Sequence, residues 1–145
     1  MEKSLPKEIR AFIKEHHVMT LATISNGMPY CSNLFYAFIP EKQFFVFTSS
    51  LATEHAQNII QNSNVAASIV VETNVVGKVR GVQLCGNASR AEGSVLHEAK
   101  MAYLKRFPYA IFADLELWQL KVTFAKLTDN RLGFGKKIIW NSDEK

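Results

Sequence analysis

The chain has 145 residues, 48% of them hydrophobic and 21% charged, with a formal net charge of +4. These values describe one folded domain over residues 1–145 and exclude a disordered chain. No apolar run reaches the roughly 18 residues of a membrane span, the opening MEKSLPKEIR lacks a signal-peptide core, and the cations are too scattered for a nucleic-acid stripe. Membranes and nucleic acids are therefore not expected partners, whereas a mild positive excess suits a small anionic ligand. Cys31 and Cys85 lack metal-ligand spacing and read as two free thiols in a reducing cytoplasm.

Pro6 to His17 predicts an amphipathic helix with Ile9, Phe12 and Ile13 on one stripe. Val18–Ser25 reads as a strand, and Asn26-Gly27 as the hairpin turn into a second strand, Met28–Ile39, apolar enough on both faces to be covered on both. Pro40-Glu41-Lys42 turns the chain into strand three, Gln43–Ser49. Thr53 is placed to cap a short helix through about Gln61, with Ala56, Ile59 and Ile60 inward. Val65–Glu72 is strand four. Val79 to about Glu92 is a long strand five, in which Gly81 and Gly86 mark a bulge or close backbone approach. Ser94–Phe107 reads as a second amphipathic helix stopped by Pro108, and Leu115–Leu127 as the last strand. Six hairpin-spaced strands and three helices predict a mainly β fold, a closed antiparallel barrel with helices outside.

Three segments carry candidate chemistry. Thr48–His55 joins a hydroxyl-rich strand end to a helix start, offering backbone N–H groups to an anion with His55 as a further donor; an ordinary capped loop explains the same residues, and Glu54 would repel phosphate. Gln83 lies in an otherwise apolar strand, so it is paired if buried or else faces solvent, and Asn33 poses the same choice. The tail TDNRLGFGKKIIW (Thr128–Trp140) either approaches a ligand through Gly133 and Gly135 or forms a C-terminal strand with a basic edge. His16-His17 lacks the partners of a metal site. No residue pair has the spacing of nucleophilic or glycosidase catalysis, which fits a fold whose chemistry comes from a cofactor.

TLATISNGMP (Thr20–Pro29), FVFTSS (Phe45–Ser50), QNSNVAASI (Gln61–Ile69) and GVQLCGNA (Gly81–Ala88) together resemble the FMN-binding split-barrel superfamily, the pyridoxamine 5′-phosphate oxidase-like proteins. The whole chain is most similar to a small bacterial branch ending in a motif like NRLGFGKKIIW. The resemblance implies a six-stranded Greek-key split barrel and a homodimer with FMN at the subunit interface. It places Ser32, Asn33 and Leu34 beside the flavin, Thr48 and Ser49 at its ring or ribityl chain, and Thr53 and His55 at its phosphate. Gln83 is a further candidate, two residues from the family's glutamine on the same strand face. His55 falls where the oxidases have Lys and Glu54 where they often have Arg, so Lys136 and Lys137 are the cations that would compensate. Arg131 falls near a substrate-binding Arg, although the surrounding oxidase signature is absent. The function expected from this resemblance is an FMN-dependent oxidoreductase, with hydride exchanged at flavin N5. The alternatives are a non-catalytic flavin or haem carrier or sensor, or a haem-degrading protein with His16, His17, His55 or His97 as ligand.

Overall fold

Asn26 and Gly27 adopt positive φ, 51° and 76°, and turn β1 (Val18–Ser25) directly into β2 (Met28–Phe35). Those residues tolerate the conformation, so the hairpin register follows from the turn and pairs Ser25 with Met28 through to Val18 with Phe35. The computed structural model describes residues 3–133 and 135–142; Met1, Glu2, Phe134 of the tail motif and residues 143–145 lie outside the described residues. The remaining elements are α1 (Lys7–Glu15), β3 (Ala37–Ile39), β4 (Phe44–Thr48), α2 (Glu54–Gln61), β5 (Asn64–Val70), β6 (Arg80–Arg90), α3 (Gly93–Arg106), β7 (Leu117–Asp129) and β8 (Lys137–Asn141).

One antiparallel sheet runs β2-β1-β5-β6-β7-β4-β3, and β8 lies beside β7. β7 is long enough to serve two partners, pairing with β4 through Leu117–Lys121 and with β8 through Phe124–Thr128. The two ends of the strand order, β2 and β3, are consecutive in the chain and separated only by Tyr36. The sheet therefore curls until its edges meet at that residue, which makes a split barrel. The predicted strand Met28–Ile39 is thus divided in two, and with β8 built from the basic tail the sheet has eight strands rather than six.

Tyr36 is fully buried at this junction. Its N–H donates to His17 O (3.0 Å), its hydroxyl donates to Ile13 O at the end of α1 (2.6 Å), and its ring meets Phe45 edge-on. The Arg106 guanidinium of α3 lies 5.1 Å from the ring centroid and donates to the carbonyls of Lys14 and His16. Burial raises the phenol pKa, so the hydroxyl remains a donor.

Alternation along the strands separates the faces. Met19 and Leu21 of β1, Val65, Ala67 and Ile69 of β5, and Val82, Leu84 and Ala88 of β6 point inward, where Ile9, Phe12 and Ile13 of α1 and Ala56 and Ile59 of α2 join them. A second cluster outside the barrel packs Ala99 and Tyr103 of α3 against Ala37, Val46 and Leu117. At the predicted bulge, β6 shifts register between Cys85 and Gly86 and leaves Thr123 of β7 as the extra residue. A Cβ on Gly86 would sit 2.2 Å from Lys121 O, so only glycine allows the two backbones to come this close.

Two packing expectations change. Ile60 is exposed, because Asn58 turns inward to donate to Thr23 Oγ1 (3.1 Å) and rotates the buried stripe of α2 onto His55, Ala56 and Ile59. β2, expected to be covered on both sides, is largely exposed because it is the sheet's edge.

Gly86→Ala is expected to destabilise the chain by about 3 kcal/mol or more, because the clash is with backbone that cannot rotate away. Tyr36→Phe, which leaves Ile13 O unsatisfied, should cost about 1–2 kcal/mol. Urea unfolding followed by circular dichroism measures both.

Candidate functional site

The outward faces of the strands form cross-sheet rows. Asn33, Thr20, Ser68, Gln83, Lys126 and Ile139 are successive register partners from β2 to β8. At about 4.8 Å per strand this row spans about 24 Å. Two of the predicted residues, Asn33 and Gln83, belong to it. Gln83 is solvent-facing, which decides the choice the sequence left open, and Asn33 Oδ1 accepts from Thr20 Oγ1 (2.9 Å). The neighbouring row is smaller: Cys31, Ala22, Ala66, Cys85 and Phe124. Beside it Ala22, Ala66 and Gly86 floor a shallow depression of about 440 Å³. Both cysteines are exposed. Ser32 and Leu34 face the other way. Leu34 packs on the barrel core, and Ser32 Oγ is enclosed with no hydrogen-bond partner.

Thr48 ends β4, and Ser49, Thr53 and His55 meet in the β4–α2 loop, where several backbone donors are taken by partners within the chain. Ser49 N donates to Glu116 O (3.1 Å), Leu51 N to the Glu116 carboxylate (2.8 Å), Ala52 N to Ser50 Oγ, and Thr53 N to Ser50 O. Thr53 caps α2 by accepting from Ala56 N (3.3 Å), as predicted from its hydroxyl. His55 is only 8% exposed, its Nε2 in a 2.6 Å hydrogen bond with Ser49 Oγ. Burial pushes its pKa below the usual imidazole value, so it is a neutral partner of Ser49 and adds no charge. Ser49 is further held by Trp118, whose indole N–H donates to its carbonyl (2.8 Å). An internal carboxylate, Glu116, therefore occupies a backbone donor where an external anion was expected, and Glu54 beside it is exposed.

The tail residues divide. Lys137 pairs with Thr128, itself opposite Gly81, and so flanks the outward face; Lys136 is exposed and its carbonyl accepts from Asp129 N (3.3 Å). Arg131 is committed to buried Asp129, with Nη2 2.9 Å from Oδ2, and Arg80 Nε reaches the same oxygen at 3.3 Å. Its guanidinium thus acts inside the chain. Among the described residues no cluster of three or more His, Cys, Asp or Glu could hold a metal ion.

The sequence reading passed over a larger concavity of about 950 Å³ between α1 and α3, floored by Phe38 of β3. Its signal was present: Lys7, Arg10 and Lys14 recur at helical spacing on α1, and His97, Met101 and Lys105 do so on α3. What was missing was the knowledge that the two helices face each other.

A strongly curled antiparallel sheet, helices packed on and beneath it, and a polar outward row define a split-barrel protein. The chain belongs to the pyridoxamine 5′-phosphate oxidase family, whose sequence profile matches residues 5–128. It is 36% identical over 132 residues to the UPF0306 protein plu4501 of Photorhabdus laumondii, covering 91% of this chain and 92% of that one. It is also 36% identical over 135 residues to the UPF0306 protein YhbP of Shigella sonnei, covering 93% and 92%. Among solved structures it is similar to a heme binding protein from Mycobacterium smegmatis, with TM-score 0.79 and 25% identity; the match covers 94% of this chain but spans only 57% of that protein. HutZ, a heme storage protein from Vibrio cholerae, shares the fold at TM-score 0.69 and 20% identity, covering 83% and 91%. A NimC/NimA family protein from Clostridium acetobutylicum does so at 0.68 and 19%, covering 92% and 90%.

The hydrogen bonds and charge of Arg131 hold the Asp129 carboxyl below its ordinary value of 3.8. A depressed carboxylate stabilises fully above its unfolded pKa, and that stability is lost as pH falls through the folded value. Asp129→Asn is expected to cost about 1–3 kcal/mol at neutral pH and to flatten the fall in urea midpoint between about pH 5 and pH 2.

Proposed function

We propose that this chain is a cytoplasmic, one-domain, homodimeric cofactor-binding protein whose ligand is a flat aromatic ring bearing carboxylates, of the haem class, laid on the outward face of β1, β2, β5 and β6. The observation that carries this reading is the charge of the β4–α2 loop. With Leu51 N–H on Glu116, an exposed Glu54 and a His55 whose charged form burial disfavours, the phosphate of FMN would meet carboxylates and no full cation there. Carboxylates instead find Lys126 in the polar row and Lys137 at its flank. The heme binding protein from Mycobacterium smegmatis supports the same ligand class by similarity.

Dimerisation is supported by what one copy leaves uncovered. Phe35, Val70 and Ile139 are exposed on the outward face, and Tyr109 and Phe112 in the 3₁₀ segment Pro108–Phe112 are 88% and 90% exposed. A second copy would bury such side chains. No helix is long and apolar enough to cross a membrane among the described residues.

A second reading, an FMN-dependent oxidoreductase with hydride exchanged at flavin N5, is favoured by the family itself and by the hydroxyls of Ser49 and Thr53 gathered about His55 in one loop. Under that reading Asn33 and Gln83 adjoin the ring by their side chains and Ser32 and Leu34 by backbone alone, Lys136 and Lys137 adjoin the phosphate, and Arg131 would have to leave Asp129 to meet a substrate.

Titration with haemin and with FMN separates the two. The haem-class reading expects a saturable Soret band, weakened about tenfold or more by Lys126→Glu with Lys137→Glu. It also expects FMN to bind poorly until Glu54→Arg supplies a cation. Flavin absorbance in the protein as purified, with haemin unbound, establishes the second reading instead. Light scattering tests the dimer, and a monomer at micromolar concentration would remove the shared-face site.

A further inference from the structure

We propose that the groove between α1 and α3 is a second ligand site, for a small amphipathic carboxylate, and that it is independent of the barrel face. The two helices run side by side over β3. The segment leading into α1 and the second turn of α3 are tied to the β3–β4 turn, with Leu5 N donating to Gln43 Oε1 (2.7 Å) and Lys42 Nζ lying 2.7 Å from Glu98 Oε1. Their C-terminal ends are tied together by Arg106, which donates to Lys14 O (3.1 Å) and His16 O. Between these ties the walls stand apart and leave the 950 Å³ trough, within the range of small-molecule sites.

The trough is polarised along its length. Lys14, His17, Lys105 and Arg106 gather at the C-terminal end, with no carboxylate among the lining residues there. Arg106 offsets the helix-end carbonyls it caps, which leaves Lys14 and Lys105 without an ion-pair partner among the described residues. The middle carries an apolar floor beneath Arg10. Ala11, Phe38 and Ala102 line it, and Met101, a large flexible apolar side chain, is 56% exposed there. The carboxylates, Glu41 and Glu98, lie at the opposite end, where Glu98 is already paired with Lys42.

A cationic end followed by an apolar trough fits a ligand with one anionic head and an apolar body. Two helical turns of α3, from His97 to Lys105, give the trough a length of about 12 Å, which suits a medium-length acyl chain. Lys7, Arg10 and Lys14, aligned at i, i+3 and i+7 on α1, can follow such a head as it enters. The shared chemistry, a carboxylate on an apolar body, is also that of a porphyrin dicarboxylate, for which His17 and His97 would stand at the rim.

Isothermal titration with laurate, and separately with haemin, tests the site on the full chain, on Lys14→Glu with Lys105→Glu, and on Lys78→Glu as an exposed control outside the groove. The proposal expects saturable laurate binding at one site per chain, weakened about tenfold or more by the groove pair, unchanged by Lys78→Glu and diminished by salt. Haemin binding that follows the same pattern, with laurate competing, identifies the porphyrin source and also supports the groove. Absence of saturable laurate binding together with haemin binding indifferent to the groove pair overturns the proposal and leaves the barrel-face reading standing. Equal laurate binding by all three proteins overturns it as well. Circular dichroism of each variant confirms that a loss of binding is not a loss of fold.

Discussion

The buried junction at Tyr36 is the constraint on which the architecture depends. One residue carries the chain from one edge of the sheet to the other, and the curl of the whole barrel is set by the need for those edges to meet. The same side chain accounts for the position of α1, through the hydrogen bond to Ile13 O, and for the approach of α3, through Arg106 over its ring. Its hydroxyl is buried with a single partner, so the bond it makes cannot be exchanged for water. The barrel, the helix beneath it and the helix beside it therefore share one polar joint within an apolar interior.

The electrostatics of the chain follow a similar economy. Carboxylates that the sequence shows as isolated charges are committed to internal donors. Asp129 gathers Arg80 and Arg131, and Glu116 holds Leu51 N–H. Such commitments take up Leu51 N–H in the β4–α2 loop, while among the described residues no ion pair joins Lys14 of α1 or Lys105 of α3 to an acid. Five of the cations, Lys7, Arg10, Lys14, Lys105 and Arg106, line the groove between the two helices.

Much of the fold was legible before the structure. Asn26-Gly27 could only turn a hairpin, Thr53 could cap a helix wherever that helix packed, and Gly86 marked the bulge because its requirement is local backbone space. Less legible were features set by neighbours distant in sequence. Ile60 and Asn58 exchanged roles because Thr23 supplied an acceptor for the amide. The break in the second strand at Tyr36 has no turn residue to announce it, because a buried aromatic with four tertiary partners produces it. Gln83 faces outward through the register of β5 and β6, which alternation alone left undecided.

The sequence by itself determined the class of fold, because hairpin turns, strand alternation and helix caps are decided within a few residues of one another. It also shows a carboxylate, Glu54, and a histidine, His55, where the family resemblance implies a phosphate clamp of two cations. Only the tertiary structure decided what stands in place of that clamp. Glu116 reaches Leu51 across 65 residues, and burial against Ser49 makes His55 neutral. It alone, too, set the basic stripe of α1 opposite Lys105 and Arg106 of α3 across β3. Charge and burial depend on distances through space, and those distances exist only once the barrel has closed.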